Sequence, residues 1–103
     1  NAQKPICQPY IPVTRIDCSS SKKQVPAQVR LLQQFLKTFG GFPEQKVTGY
    51  CGPQTIKNLK SFQRTYAAQI LTPLGLRTPT SIAGPATIGQ INRMVCAAQI
   101  QKP

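Results

Sequence analysis

Apolar side chains recur at helical spacing in three segments of this sequence. In each segment they return every third or fourth residue, which places them on one face of an α-helix. The spacing predicts helices over about residues 26–38, 54–69 and 86–98. The predicted buried faces consist of Val29, Leu32, Phe35, Leu36 and Phe39, then Ile56, Leu59, Phe62 and Tyr66, then Ile88, Ile91 and Val95. The predicted fold is therefore mainly α, a small three-helix bundle with long loops.

The segments outside these helices predict one domain that carries an arm. The 103 residues are enough for one modest core. Residues 1–24 contain prolines and two cysteines and are predicted to form an extended N-terminal arm. We expect the three-helix domain to span residues 25–98 and a tail to follow over residues 99–103. A short strand is predicted around residues 46–48.

A short turn motif comes before the second predicted helix and returns before the third. Gly49 and Gly52 suit a tight turn, and the proline that follows suits the first position of a helix. The hydroxyl of Thr55 can bond the first helical turn. The Gly-Pro-x-Thr pattern of residues 52–55 is repeated at residues 84–87, where it again opens an apolar helical stripe.

These motifs resemble the bacterial peptidoglycan-binding domain family. The shared pattern is a V-x-x-L-Q-x-x-L helix at residues 29–36, a V-x-G-x-x-G-x-x-T turn at residues 47–55, and a helix that ends in Phe-Gln at residues 62–63. The resemblance covers about residues 25–95. With its second Gly-Pro-x-Thr and the loop at residues 70–76, the chain is similar to a variant found in small secreted bacterial surface proteins.

The resemblance implies a three-helix fold that holds peptidoglycan stem peptides in a shallow groove. Gln33 and Gln63 match two glutamines of the family pattern that bond loop backbone, and Tyr50 is implied to line the groove. Cys51 stands where the family usually has an aromatic residue, and the acidic residue often found near the turn is absent.

Four cysteines in so short a chain predict two disulfides and an oxidising, extracellular location. The chain has no C-x-x-C pair and no histidine, so neither a metal nor another cofactor is expected. Of the three possible pairings we favour the one with Cys7–Cys18, which closes a loop in the arm. The other bridge is then Cys51–Cys96. Asn1 rather than Met at the start indicates a processed form, and no apolar run reaches the ~20 residues that span a bilayer.

The charge of the chain is strongly one-sided. Thirteen lysines and arginines accompany only two acids, which gives a net charge of +11. Such a charge favours an anionic partner. Lys57, Lys60 and Arg64 lie on one predicted helical face, where they form either an anion-binding ridge or a solvated surface. Tyr50 and these three cations are the candidate ligand-binding residues.

The predicted function is binding rather than catalysis. Asp17 and Glu44 are distant in sequence, and no histidine is available for acid–base work. We expect a non-catalytic, secreted cell-surface module that binds peptidoglycan or another anionic cell-wall glycan. The alternative is a self-assembling subunit of an extracellular filament or surface layer, a homopolymer in which the N-terminal arm links neighbours. Nucleic acid is a less favoured partner because the disulfides argue against an intracellular ligand and no recognition motif is present.

Overall fold

Helices and one short antiparallel pairing make up the fold. The computed structural model describes residues 7–20, 22 and 24–100. Its elements in chain order are β1 (Ile16–Asp17), α1 (Pro26–Thr38), α2 (Pro53–Thr65), α3 (Ala67–Ile70), a single 3₁₀ turn (Thr72–Leu74), β2 (Ile82–Ala83) and α4 (Pro85–Ile100). The prediction of a mainly helical bundle held by two disulfides is confirmed.

Each of the long helices begins at a proline. Pro26, Pro53 and Pro85 stand at the first helical positions. There the missing N–H has no intrahelical acceptor to lose, and the fixed φ of proline suits the helix. Shortly after α1, Gly41 has a φ of 86°, a left-handed conformation that favours glycine. These local signals explain why α1 has the predicted bounds.

The second predicted helix is broken into two. The prediction extended to residue 69, whereas α2 ends at Thr65 and α3 begins at Ala67. Between them Tyr66 has φ −110° and ψ 39°, outside the helical region, although its N–H still donates to the carbonyl of Phe62. No glycine or proline lies at the break, so no local signal in the sequence predicts it.

The core extends from the arm through all the long helices. At its centre the rings of Phe35 and Phe62 meet edge to face, with centroids 5.2 Å apart. The prediction that Phe39 is buried was wrong, because this residue follows the end of α1, is 41% exposed and stacks on Phe35. The buried apolar residues are Ile11, Ile16, Cys18, Val29, Leu32, Phe35, Leu36, Cys51, Leu59, Phe62, Ile70, Leu71, Ala83, Ile88, Ile91 and Val95.

The N-terminal arm packs along α4 of its own chain. The N–H of Ile11 donates to Oδ1 of Asn92 (2.8 Å), and Nδ2 of Asn92 donates to the carbonyl of Ile11 (3.1 Å). Further along the arm, β1 pairs with β2 in antiparallel register, with Ile16 opposite Ala83. The arm therefore runs antiparallel to α4, and Ile11 and Ile16 of the arm are part of the core.

The strand predicted around residues 46–48 does not form in the described structure. The backbone there bonds to side chains rather than to a neighbouring strand. The N–H of Lys46 donates to Oε1 of Gln54 (3.1 Å), and the N–H of Thr48 donates to Oε1 of Gln33 (2.8 Å). Since these side chains already pair the backbone groups, a strand partner is not needed.

Both disulfides differ from the predicted pairing. The bridges are Cys7–Cys96 and Cys18–Cys51, with Cα atoms 5.7 and 5.3 Å apart. The favoured Cys7–Cys18 bridge would require the arm to fold back on itself. Because the arm instead runs antiparallel to α4, its beginning lies beside the last turns of α4 and its end lies beside the loop before α2. The favoured Cys51–Cys96 bridge was wrong for the same reason, since Cys96 lies beside the beginning of the arm and Cys51 lies beside its end.

The predicted arm and tail lie partly outside the described residues. Residues 1–6, 21 and 23 of the arm and residues 101–103 of the tail are not among them. Within the described part, α4 continues to Ile100 and starts at Pro85, against a prediction of residues 86–98.

Candidate ligand-binding site

Gln33 of α1 fixes the loop that leads into α2. Its side chain is buried, and Oε1 accepts hydrogen bonds from the N–H groups of Thr48 (2.8 Å) and Gly49 (2.9 Å). Its Nε2 donates to the carbonyl of Tyr50 at 2.8 Å. The same nitrogen lies 3.2 Å from the hydroxyl of Thr48 and 3.1 Å from that of Thr55. The loop-bonding role expected for Gln33 is thus observed, and we call residues 48–50 the first clamped loop.

Gln63 of α2 fixes the loop before α4 in the same way. Its Oε1 accepts from the N–H of Thr80 (2.7 Å). Its Nε2 donates to the carbonyl of Ile82 (3.1 Å) and to the hydroxyl of Thr87 (3.3 Å). Residues 80–82 therefore form a second clamped loop, and the expected role of Gln63 is also observed.

The two clamped loops belong to a repeat that is longer than the predicted one. Residues 48–55 and 80–87 both read T-x-[Y/I]-x-G-P-x-T. In both, the hydroxyl of the first threonine bonds the N–H and the carbonyl of the residue two positions on, which is Tyr50 in one copy and Ile82 in the other. The prediction included only the Gly-Pro-x-Thr half. The signal for the rest is the threonine four residues before each glycine.

A buried polar network supports the first clamped loop from α2. The hydroxyl of Thr55 accepts from Nε2 of Gln45 (3.0 Å) as well as from Gln33, rather than capping the helix. The Nδ2 of Asn58 in turn donates to Oε1 of Gln45 (2.8 Å). In the part of the chain that the structure describes, no buried side-chain polar atom lacks a partner. A fully satisfied network of this kind holds the loop in one conformation.

Comparison with protein families identifies the fold that carries these loops. The model of the family described as "Putative peptidoglycan binding domain" matches residues 26–91. The match begins at the first residue of α1, extends into α4 and includes both clamped loops. The chain belongs to the peptidoglycan binding domain family. No curated protein and no solved structure matches it.

The predicted ligand-binding residues of this peptidoglycan binding domain lie at and along α2. Tyr50 is in the first clamped loop, just before the helix, and is 57% exposed. Lys57, Lys60 and Arg64 follow at intervals of three and four residues and so share one helical face. Lys57 and Arg64 are exposed, and Lys60 is half-buried. The structure thus brings the three cations together as the α2 ridge, with Tyr50 beyond its N-terminal end.

The α2 ridge has no acidic partner among the described residues. Asp17 is buried, accepts from the N–H and the hydroxyl of Ser19, and pairs with Arg15 at 3.5 Å. Glu44 is exposed, and within residues 7–20, 22 and 24–100 it forms no ion pair. Neither acid therefore forms an ion pair with the ridge in the described structure, although the backbone carbonyl of Glu44 accepts from Nε2 of Gln54, one turn before Lys57.

Two shallow surface cavities lie away from Tyr50 and the α2 ridge, and one of them is beside the second clamped loop. One of about 210 Å³ is bordered by Arg15, Leu74 and Ile82. The other, of about 240 Å³, lies between the proline-rich arm and the first turns of α4, with Pro12 and Ile88 in its wall. Neither is lined by Tyr50 or by the cations of the α2 ridge.

The described residues contain neither a metal-binding cluster nor a membrane-spanning helix. Across the described residues, histidine, cysteine, aspartate and glutamate form no group of three or more that could hold a metal ion. None of the helices described combines the length and apolar character needed to cross a membrane.

The predicted site did not include Arg30, which the structure places beside the first clamped loop. Arg30 is exposed on α1, and its guanidinium lies against Gly49. It stands three residues before Gln33, just as Lys60 stands three residues before Gln63. This equal spacing of a cation from each clamp glutamine is the sequence signal that identifies it.

Proposed function

We propose that this chain is a non-catalytic, secreted module of the bacterial cell surface that binds peptidoglycan or another anionic wall polymer. Membership of the peptidoglycan binding domain family supports this class of ligand. The observation that carries the proposal is the α2 ridge, whose cations have no acidic partner among the described residues. A polymer that bears carboxylates or phosphates complements such a surface.

Chemistry and redox state support the non-catalytic and secreted parts of the proposal. The chain has no histidine, and Asp17 forms an ion pair with Arg15. Glu44 is exposed and forms no ion pair among the described side chains. General acid–base catalysis usually needs a histidine or a pair of tuned carboxylates. All four cysteines form disulfides, which persist in oxidising compartments outside the cytosol.

Co-sedimentation of the oxidised protein with purified, insoluble peptidoglycan tests wall binding. Replacing Lys57, Lys60 and Arg64 together by glutamine is expected to weaken retention about ten-fold, because each exposed charge contact contributes roughly 0.5 kcal/mol. Retention of the unaltered protein is expected to fall between about 0.1 M and about 1 M salt, as the Debye length shortens from about 10 Å to about 3 Å.

A matched variant separates the α2 ridge from net charge. Replacing Lys37, Lys46 and Arg77 by glutamine removes the same number of charges from exposed positions elsewhere, and its retention is expected to stay near that of the unaltered protein. Equal losses in the two triple variants would mean that net charge alone is responsible. No retention of the unaltered protein at low salt would overturn wall binding, and release of soluble wall fragments during incubation would contradict the non-catalytic role.

The alternative predicted from the sequence, a filament or surface-layer subunit linked through its arm, has no favouring observation in the described residues. Residues 7–20 of the arm are engaged with their own chain. Cys7 is bonded to Cys96, and Ile11 is buried and bonded to Asn92. An arm donated to a neighbour would have to lose these contacts, so wall binding is the function that we propose.

A further inference from the structure

We propose that Arg30 is a ligand-binding residue of this domain and that, with Tyr50, it forms a subsite for a carboxylate of peptidoglycan. The inference rests on the proposed wall binding and names the chemical group that the site recognises. Stem peptides carry carboxylates, and so do the lactyl groups of glycan strands from which the peptides have been removed. The argument depends on how the first clamped loop holds the guanidinium.

The guanidinium of Arg30 lies flat on the first clamped loop. A β-carbon built at Gly49 would lie 3.2 Å from Cζ of Arg30 and 3.3 Å from both Nε and Nη2. Because Cζ is the nearest of the three atoms, the glycine faces the plane of the guanidinium rather than its edge. Gly49 is accordingly buried, although its neighbours Thr48 and Tyr50 are exposed. The group is thus positioned without using its hydrogen-bond donors.

Those donors are available to a ligand. Within the described residues the guanidinium of Arg30 forms neither a hydrogen bond nor an ion pair. Its face is covered by the loop, so its edges are directed sideways along the surface. Two parallel N–H groups on one edge match the two oxygens of a carboxylate, and this planar fork is the geometry that distinguishes arginine from lysine.

Tyr50 supplies the other wall of the subsite. Its backbone is fixed, since its N–H donates to the hydroxyl of Thr48 (3.2 Å) and its carbonyl accepts from Gln33 (2.8 Å). Its ring edge lies 3.8 Å from a β-carbon built at Gly52, while the side chain remains 57% exposed. An exposed aromatic ring on this fixed backbone, one residue from the covered Gly49, offers apolar contact to a ligand.

The second copy of the repeat lacks this arrangement. Lys60 occupies the position equivalent to Arg30, and Ser81 occupies that of Gly49. At Gly49 a β-carbon would come within 3.2 Å of the Arg30 guanidinium, and Ser81 carries such an atom at the equivalent position. The ammonium group of Lys60 also has no planar fork. The carboxylate subsite is therefore confined to the first clamped loop.

Nuclear magnetic resonance of the ¹⁵N-labelled, oxidised protein tests Arg30 directly. The Nε–H signal of Arg30 is assigned by its absence in Arg30→Gln. The protein is titrated with a soluble stem peptide, with N-acetylmuramic acid and with N-acetylglucosamine, of which only the first two carry a carboxylate. We expect a carboxylate probe to shift the Nε–H signal and the neutral sugar to leave it in place. The probe that shifts it identifies the peptide or the glycan as the source.

Sedimentation with insoluble peptidoglycan provides the second measurement. Arg30→Gln is expected to weaken retention about ten-fold, the effect of losing hydrogen bonds to a charged group. Arg30→Lys should recover only part of the loss, and the control Arg77→Gln, at another exposed arginine, should change little. Equal effects at Arg30 and Arg77, full recovery with lysine, or an equal shift with the neutral sugar would overturn the subsite. Failure of the unaltered protein to sediment would instead refute wall binding. The two failures are distinguishable because the Nε–H shift is measured with soluble probes and reports on Arg30 alone.

Discussion

Replacing Gln33 by leucine tests whether this side chain holds the first clamped loop. Leucine fills similar space but neither donates nor accepts a hydrogen bond. The change removes the partners of the buried N–H of Gly49 and the partly buried N–H of Thr48. It also removes one of the two partners of the Tyr50 carbonyl, which still accepts from the hydroxyl of Thr48. A buried group left unpaired costs about 1–3 kcal/mol, and a lost bond at a partly exposed group costs about 0.5–1.5 kcal/mol.

The expected loss of stability is about 3 kcal/mol, of which the buried N–H of Gly49 accounts for roughly half. The hydroxyl of Thr55 adds little because it still accepts from Gln45 at 3.0 Å. For an m-value of about 1.5 kcal/mol/M, this loss lowers the urea midpoint by about 2 M.

The adjacent residue on α1 provides the control. Gln34 is exposed, and its bond to the hydroxyl of Thr38 (2.9 Å) is also exposed, so Gln34→Leu is expected to change stability by no more than about 0.5 kcal/mol. Both variants are unfolded in urea with their disulfides intact and followed by far-ultraviolet circular dichroism. Equal midpoints for the two variants would refute the reasoning, because they would show that the loop does not depend on Gln33.

Three further predictions concern other parts of the fold. Replacing Cys7 and Cys96 by serine is expected to lower the free energy of unfolding by about 4–5 kcal/mol, because the bridge joins residues 89 apart, and urea unfolding measures this. Gly49→Ala is expected to lose more stability than Gly41→Ala in the same assay. Each places alanine at a φ near 87°, a strain of about 1–2 kcal/mol, but only at Gly49 does the new methyl group meet a guanidinium. Burial raises the pKa of Tyr10 above its ordinary value of 10.0. Its contribution to stability is therefore present below the unfolded pKa and lost as pH rises through the folded pKa, so urea midpoints should fall less steeply above about pH 10 in Tyr10→Phe than in the unaltered chain.

The helices were predictable because their signals are local. The apolar spacing and a proline at each start, as at Pro26, need no knowledge of the rest of the fold. The disulfide pairing was not predictable in this way. It depends on the path of the arm, which is set by contacts such as that between Ile11 and Asn92, residues that are 81 positions apart. The break at Tyr66 likewise has no local marker.

The candidate site was predictable where a residue's role is tied to a motif. Gln33 and Gln63 stand in a recognisable pattern, and their hydrogen bonds match the expected role. Arg30 is marked only by its position three residues before Gln33, a spacing that gains meaning once the same spacing is seen for Lys60 and Gln63. What distinguishes it is the close approach of its guanidinium to Gly49, and that contact exists only after the loop has been clamped against α1.

The arm gives the two clamped loops different surroundings. In the second loop Ile82 is part of β2 and pairs with β1, and the carbonyl of Ser81 accepts from the N–H of Cys18 at 3.0 Å. Ile82 is only half-buried, but its backbone is occupied. The second loop therefore anchors the arm through its backbone, and a ligand that paired with the same backbone groups would have to displace β1.

The arm holds the first clamped loop at Cys51, the residue that follows it, and the side chains of Thr48 and Tyr50 remain exposed to solvent. Cys51 is bonded to Cys18, and its N–H donates to Oε1 of Gln24 at 2.9 Å, so the arm contacts the loop at this residue. Tyr50 and Arg30 remain exposed beside it. Because β1 pairs with the second loop while the arm only borders the first, the two loops differ in exposure: Tyr50 is exposed, whereas Ile82 is half-buried. Removing the arm would not create a second carboxylate subsite, since Ser81 keeps its β-carbon.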